Sequence, residues 1–140
     1  MEGLISTFEV EFIVVLAIAL VIGFVIGAER ESRGKDAGIS THILVIAGSA
    51  LFTLLSAAVD PASTSRIAAQ IVTGIGFLGA GLILKEGVTV RNLTTAASLW
   101  FAAGIGMALG FGFYAVAVIA GIVSTIIPRI PHLHARNADH

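Results

Sequence analysis

Residues 71–84 read IVTGIGFLGAGLIL, and Gly74, Gly76 and Gly79 within them spell G-x-G-x-x-G. That is the spacing of a dinucleotide-binding loop, in which glycines let backbone approach a pyrophosphate. The fingerprint also needs a strand before it and an acidic residue about 20 positions later for the ribose. Residues 92–100, NLTTAASLW, hold no acid, and the three glycines lie in the middle of an apolar run. The stretch therefore reads as an apolar helix, and no cofactor is expected.

Wrapped at about 100° per residue, this helix has two unlike sides. Gln70, Gly74, Phe77 and Gly81 form one stripe, with Ala69, Thr73, Gly76 and Ala80 beside it. Ile71, Ile75, Leu78 and Leu82 fall opposite. In lipid, small residues let helix backbones approach and bulky ones face acyl chains. The expectation is a central helix, touched by its neighbours on the glycine side. Two readings of that side stay open: tight packing alone, or a helix loosened by glycine beside a polar pocket.

The rest of the chain has the same character. Its 140 residues are 56% hydrophobic and 12% charged, where a soluble domain carries about 25% charged residues. An all-α, polytopic membrane protein follows, a compact bundle of about five transmembrane helices. Apolar runs place them at about 10–28, 41–59, 66–84, 93–109 and 112–128, the last two parted at Gly110-Phe111-Gly112. Residues 1–128 make one transmembrane domain, and 129–140 a polar cytoplasmic tail. Asp60-Pro61 reads as an N-cap followed by proline at the first helical position. A net charge of −1 gives no reason to expect nucleic acid as a partner.

Orientation follows from the basic residues, which favour the cytoplasmic side. Arg30, Arg33 and Lys35 follow the first helix, Lys85 and Arg91 the third, and Arg129 and Arg136 the fifth; the other side has Arg66 alone. The N-terminus is thus expected outside and the C-terminus in the cytoplasm. Glu2, Glu9 and Glu11 stand where a signal peptide would be basic, so the first run reads as a retained helix.

Small residues recur at Gly23-x-x-x-Gly27 and Gly106-x-x-x-Gly110. Together with Gly74, Gly76, Gly79 and Gly81 they predict close helix packing and a homo-oligomer, a dimer being favoured. Among polar residues, Gln70 within a span needs an interhelical hydrogen bond. Thr94, Thr95 and Ser98 open the fourth helix, where hydroxyls cap or bond back to carbonyls. Trp100 suits an interfacial anchor. The segment 27–42 alternates Glu29, Arg30, Glu31, Arg33, Lys35 and Asp36 in sign; a solvated turn is the plain reading, and the adjacent bases argue against a magnesium cage. Asp60 and Arg66 read as a cap and a local ion pair. With no cysteine, no H-E-x-x-H and no G-x-S-x-G, catalysis is not expected, nor is a resident metal; His132 and His134 read as part of a solvated tail.

Three blocks carry a family resemblance: GAERE with AGISTH in residues 23–42, GSALF at 48–52, and the run from Asp60 to Gly110 containing DPASTSRIAAQIVTGIGFLGAGLILKEG and NLTTAASLWFAAGIGMALG. They resemble the MgtC/SapB family of bacterial inner-membrane proteins. Two departures stand out. Ser40 occupies a position where the family commonly has arginine, and the soluble, ACT-like C-terminal domain of many members does not follow. The resemblance implies a role in growth at low magnesium and in virulence. It implies a modulator of other membrane machinery, such as the F-type ATP synthase, more than a magnesium transporter. Carried onto matching positions, it points to Glu29, Arg30, Glu31, Asp36, Thr41 and His42, then Asp60, Arg66 and Gln70, the glycines of the third helix, and Thr94, Thr95, Ser98 and Trp100. The expected function is therefore a non-enzymatic modulator whose partners are the lipid bilayer, further copies of itself and other inner-membrane proteins. The alternative is a small oligomeric channel or transporter for Mg²⁺ or another cation, served by the Gln70/Thr73 face.

Overall fold

The computed structural model describes residues 6–86 and 89–130. Five α-helices follow one another: α1 (Thr7–Ser32), α2 (Ile39–Val59), α3 (Arg66–Leu82), α4 (Leu93–Gly110) and α5 (Tyr114–Ile126), the last running into a 3₁₀ turn, Ile127–Arg129. The chain is a helical membrane bundle. Helices α1, α2 and α4 are long and apolar enough to cross a bilayer. The 17 residues of α3 rise only about 25 Å, short of the ~30 Å hydrocarbon core.

Each boundary has a local cause. Ser6 caps α1: its hydroxyl accepts from the Glu9 amide, and Glu9 accepts from the Ser6 amide in return. Gly112, at φ 78°, turns the chain between α4 and α5 in a left-handed conformation that suits glycine. Between α3 and α4, Leu84–Glu86 and Thr89–Arg91 form a two-stranded antiparallel hairpin, β1 and β2, pairing Leu84 with Arg91. The apolar pattern gave no sign of it, because the strands are only three residues each.

Two expectations are corrected here. Asp60 does not cap α3; it closes α2, its amide reaching the Ser56 carbonyl at 3.3 Å. Helix α3 begins instead at Arg66, and Ser56 organises that start. The Ser56 hydroxyl donates to the Thr64 carbonyl at 2.6 Å and accepts from the amides of Ile67 and Ala68 at 3.2 and 3.3 Å. One buried hydroxyl thus satisfies two of the unpaired amides every helix start carries.

The second correction concerns the centre of the bundle, which is α2 and not α3. Helix α2 lies between α1 and α4 and meets both through glycine. A methyl group on Gly27 would stand 2.3 Å from Ile39 Cα, and one on Gly106 would stand 2.3 Å from the Ile46 carbonyl oxygen. Apolar burial gives helices in lipid little reason to associate, so close approach carries the attraction. Val15, Ala19 and Ile26 of α1 fill the core with Ile46, Ala50 and Leu54 of α2, Ala102, Ile105 and Leu109 of α4, and Ala117 of α5. Helix α3 leans on the outside. Its buried residues are Ala68, Ile75 and Gly79, so Ile75 faces inward with Leu99 and Ala103. Its glycine face, Gly74, Gly76 and Gly81, looks outward with nothing within 4 Å. The sides are reversed because α4 offers α3 a shallow apolar seat that Ile75 fills.

Candidate functional site

The end of α1, the start of α2 and the start of α4 converge at one end of the bundle, called here the charged end. Gly27 and Gly38 make this possible, since α2 begins against the backbone of α1. Arg30 is 2% exposed and His42 fully buried. Arg30 Nη2 donates to the Thr95 hydroxyl at 3.3 Å, while its Nε has no acceptor. His42 Nδ1 stands 2.9 Å from the Gly38 carbonyl. A carbonyl only accepts, so Nδ1 carries the hydrogen. Nε2, left as an acceptor, faces the Ser98 hydroxyl at 3.3 Å, and the one hydrogen of that hydroxyl is shared between Nε2 and the Thr95 carbonyl 2.8 Å away. Arg30, Thr95, Ser98 and His42 are thus one connected network across three helices.

The three carboxylates of the loop segment have separate employments. Glu29, 8% exposed, pairs with Arg33 Nε at 2.5 Å. That approach is off the hydrogen-bond direction, so neither carboxylate oxygen receives a directed donor. Glu31 accepts from the Ile39 amide at 3.2 Å, a negative charge at the positive start of α2. Asp36 accepts from the Asn92 side chain at 2.5 Å. Among the described residues, no three His, Asp or Glu side chains gather to hold a metal ion.

Glu29, Arg30, Glu31, Asp36, His42, Thr95 and Ser98 are therefore brought together at the charged end. Thr94 is exposed and Thr41 half-buried at the rim. Asp60 and Arg66 lie at the opposite end, 3.9 Å apart in an exposed ion pair, worth little to stability. Gln70 and Thr73 stand exposed on α3, and Gln70 makes no interhelical bond among the described residues. Trp100 is 56% exposed on α4. His132 and His134 lie outside the described residues.

The sequence did not single out two participants. In the sequence Arg33 is one of a run of charges, yet besides pairing with Glu29 it donates to the Pro128 carbonyl at 2.9 Å. It thereby ties the first turn to the end of α5. Asn92 adopts a left-handed conformation at φ 64°, which asparagine tolerates, and so presents its amide to Asp36. An asparagine at a helix start was the available signal. Its partner, 56 residues away, was not legible.

The matches to known proteins cover this whole arrangement. The profile of the MgtC family matches residues 16–134. The chain belongs to the MgtC family. It is 51% identical to Protein MgtC of Salmonella typhimurium over 112 residues, 80% of this chain and 48% of that protein. It is 41% identical to an Escherichia coli protein named Putative magnesium transporter YhiD over 134 residues, 87% of this chain and 61% of that one. It is 46% identical to Uncharacterized protein slr0014 of Synechocystis over 109 residues, 77% of this chain and 47% of that one. This MgtC-family chain spans about half the length of Protein MgtC. No solved structure matches it.

Proposed function

We propose that this chain is a non-enzymatic protein of the bacterial inner membrane that binds and modulates other membrane machinery during adaptation to low magnesium. One observation carries the reading: among the described residues, the buried charged groups lie at one end of the bundle. Beyond Thr95 and Ser98 the interior is Ala102 and Ile105 packed on Ile46 and Ala50, with Leu99 and Ala103 packed on Ile75. Further along α2, the Thr53 hydroxyl donates to the Ser49 carbonyl and the Ser56 hydroxyl to the Thr64 carbonyl ahead of α3. An ion crossing a bilayer needs polar or charged groups along its way, and between these two regions the described interior offers the Ser49 hydroxyl and no charged group. The buried network then fixes the shape of the charged end. Exposed Glu31, Arg33, Lys35 and Asp36 become the surface that a partner reads, and the small face of α3 supplies lateral packing. With the basic residues cytoplasmic, the N-terminus lies outside and the C-terminus inside.

The test is ion flux, Mg²⁺ first and then K⁺ and H⁺, into liposomes holding the purified, correctly inserted protein. Empty liposomes and Gln70→Leu are the controls. No protein-dependent flux is expected; flux that Gln70→Leu removes would overturn the reading. Two observations favour a second reading, an oligomeric cation channel or transporter: the printed name of the Escherichia coli relative, and the exposed Gln70 and Thr73, which several copies could ring around a pore. Cysteines at Gln70, Thr73 and Gly81 in this cysteine-free chain separate the two. A pore exposes them to aqueous thiol reagents; complete protection at all three sites speaks against one.

A further inference from the structure

Between α2 and α3 lies a groove of about 580 Å³ that opens sideways. Its walls are mostly apolar, among them Leu44, Phe52 and Ile71, and both helices are thinned along it by glycine, Gly48 and Gly74. A methyl group on either glycine would meet no atom within 4 Å. The groove also holds a polar group with no partner. Ser49 lines it and is 6% exposed, and among the described residues its hydroxyl makes no hydrogen bond.

The depth of that hydroxyl matters. Ser56 accepts from the amides of Ile67 and Ala68, so these residues are level. Helices α2 and α3 run in opposite directions from that point. Seven residues along each, Ser49 and Gly74 again come level, about 10 Å further into the bundle. A hydroxyl at this depth gains from a hydrogen-bonding neighbour, which an acyl chain cannot be.

We propose that the α2–α3 groove seats a second copy of this chain, the small, polar face of each α3 lying in the groove of the other. This rests on the reading above that the α3 face is a packing face. The second copy is chosen because α3 itself carries the complementary chemistry: Gln70, Thr73, Gly74 and Gly76 are all exposed, with nothing within 4 Å of a methyl group on either glycine. A two-fold axis along the membrane normal keeps both copies in the same orientation and makes the contact self-complementary. It also places Thr73 of the second copy level with Ser49, so the unpartnered hydroxyls of the two copies meet. Gly74 and Gly48 give the backbone room to come that close.

The cysteine-free chain makes the test direct. Two differently tagged variants, Gly48→Cys and Thr73→Cys, are co-expressed and oxidised in the membrane. A mixed disulfide dimer is expected in at least tenfold excess over the pair Gly48→Cys with Ile119→Cys, whose second site is 62% exposed on α5. No excess over that control overturns the proposal. Gly74→Leu supplies a second arm. A single copy has open space there, so the variant still inserts and folds, but the crosslink is expected to fall tenfold or more; an unchanged crosslink overturns the pairing. Native mass spectrometry showing a single copy with a lipid retained, and no dimer, also overturns it. Crosslinking only to other membrane proteins defeats the second copy while leaving the partner-binding reading intact. A dimer that conducts ions does the reverse.

Discussion

Gly27 and Gly74 are both glycines of apolar helices in small-residue runs, yet a methyl group added to each meets opposite surroundings. At Gly27 it would stand 2.3 Å from the Ile39 backbone; at Gly74 it meets nothing within 4 Å. The same contrast separates Gly23, Gly106 and Gly110 from Gly76 and Gly81. The first group lets α1 and α4 close on α2, and that closeness presses Arg30 and His42 into a buried network. The second group leaves α3 with a thin, open outer face. Small residues at helical spacing thus announce close approach without saying whether the approaching helix belongs to the same chain. One region has its contacts already; the other has the surface for them.

The sharpest way to break this contrast is to fill both kinds of glycine. Gly106→Leu drives a side chain into the Ile46 carbonyl and the Ser49 Cβ. Overpacking typically costs about 1–3 kcal/mol and sometimes more. Against an immovable backbone the upper end is expected, about 3 kcal/mol or beyond, read as loss of folded protein in detergent thermal unfolding. A Gly106→Leu variant as stable as the parent would mean that α2 and α4 do not pack as described.

Arg30→Ala tests the network that the tight region holds. It empties the space of a fully buried side chain, strands the Thr95 hydroxyl and removes a neighbour of Glu29. Removing one member of a buried charged set costs about 3–5 kcal/mol. Arg33 still balances Glu29, so about 3 kcal/mol is expected, measured as a shift in unfolding midpoint. Thr95→Val should cost less, about 2 kcal/mol, because it removes one acceptor from the buried Arg30 guanidinium and leaves the charge in place.

Ser56→Ala probes the joint between the two regions. It leaves the Ile67 and Ala68 amides without their acceptor, and loss of a cap costs about 1 kcal/mol. The loss should fall on α3 alone, seen as faster hydrogen exchange in 66–70 with α1, α2 and α4 unchanged. Exchange rising equally throughout would show that α3 is not separately held.

The smallest effect is expected at the open face. Gly76→Ala meets no atom within 4 Å, and alanine in a helix interior is favoured over glycine by roughly 0.5–1 kcal/mol. The unfolding midpoint of the single copy should hold or rise slightly. A marked drop would place a neighbour against that face even within one chain.

Much of this was legible in advance, and the reasons differ by residue. Runs of 17 or more apolar residues separated by charge force helices in a bilayer, where every backbone group must bond within its own segment. The element order was open to reading for that reason, and the match to the MgtC family, residues 16–134, spans the same segments. The gathering of Glu29, Arg30 and His42 was half legible: their nearness along the chain was visible, but Thr95 and Ser98 join them from α4 across more than 50 residues. Ser56 gave no local sign, since a serine in an apolar helix commonly bonds back to its own helix.

Hydropathy and its interruptions determined by themselves that this chain is a helical membrane protein, how many helices it has and where the charges collect, because burial in lipid acts on each segment separately. Only the tertiary structure decided which helix is central, which side of α3 faces in, and which glycines are filled. Those outcomes depend on how surfaces fit, and a helix with bulk on one side and glycine on the other satisfies lipid and neighbour equally well either way round. Ile75 settled the matter by fitting the seat beside Leu99 and Ala103, and Gly74, Gly76 and Gly81 were left outside.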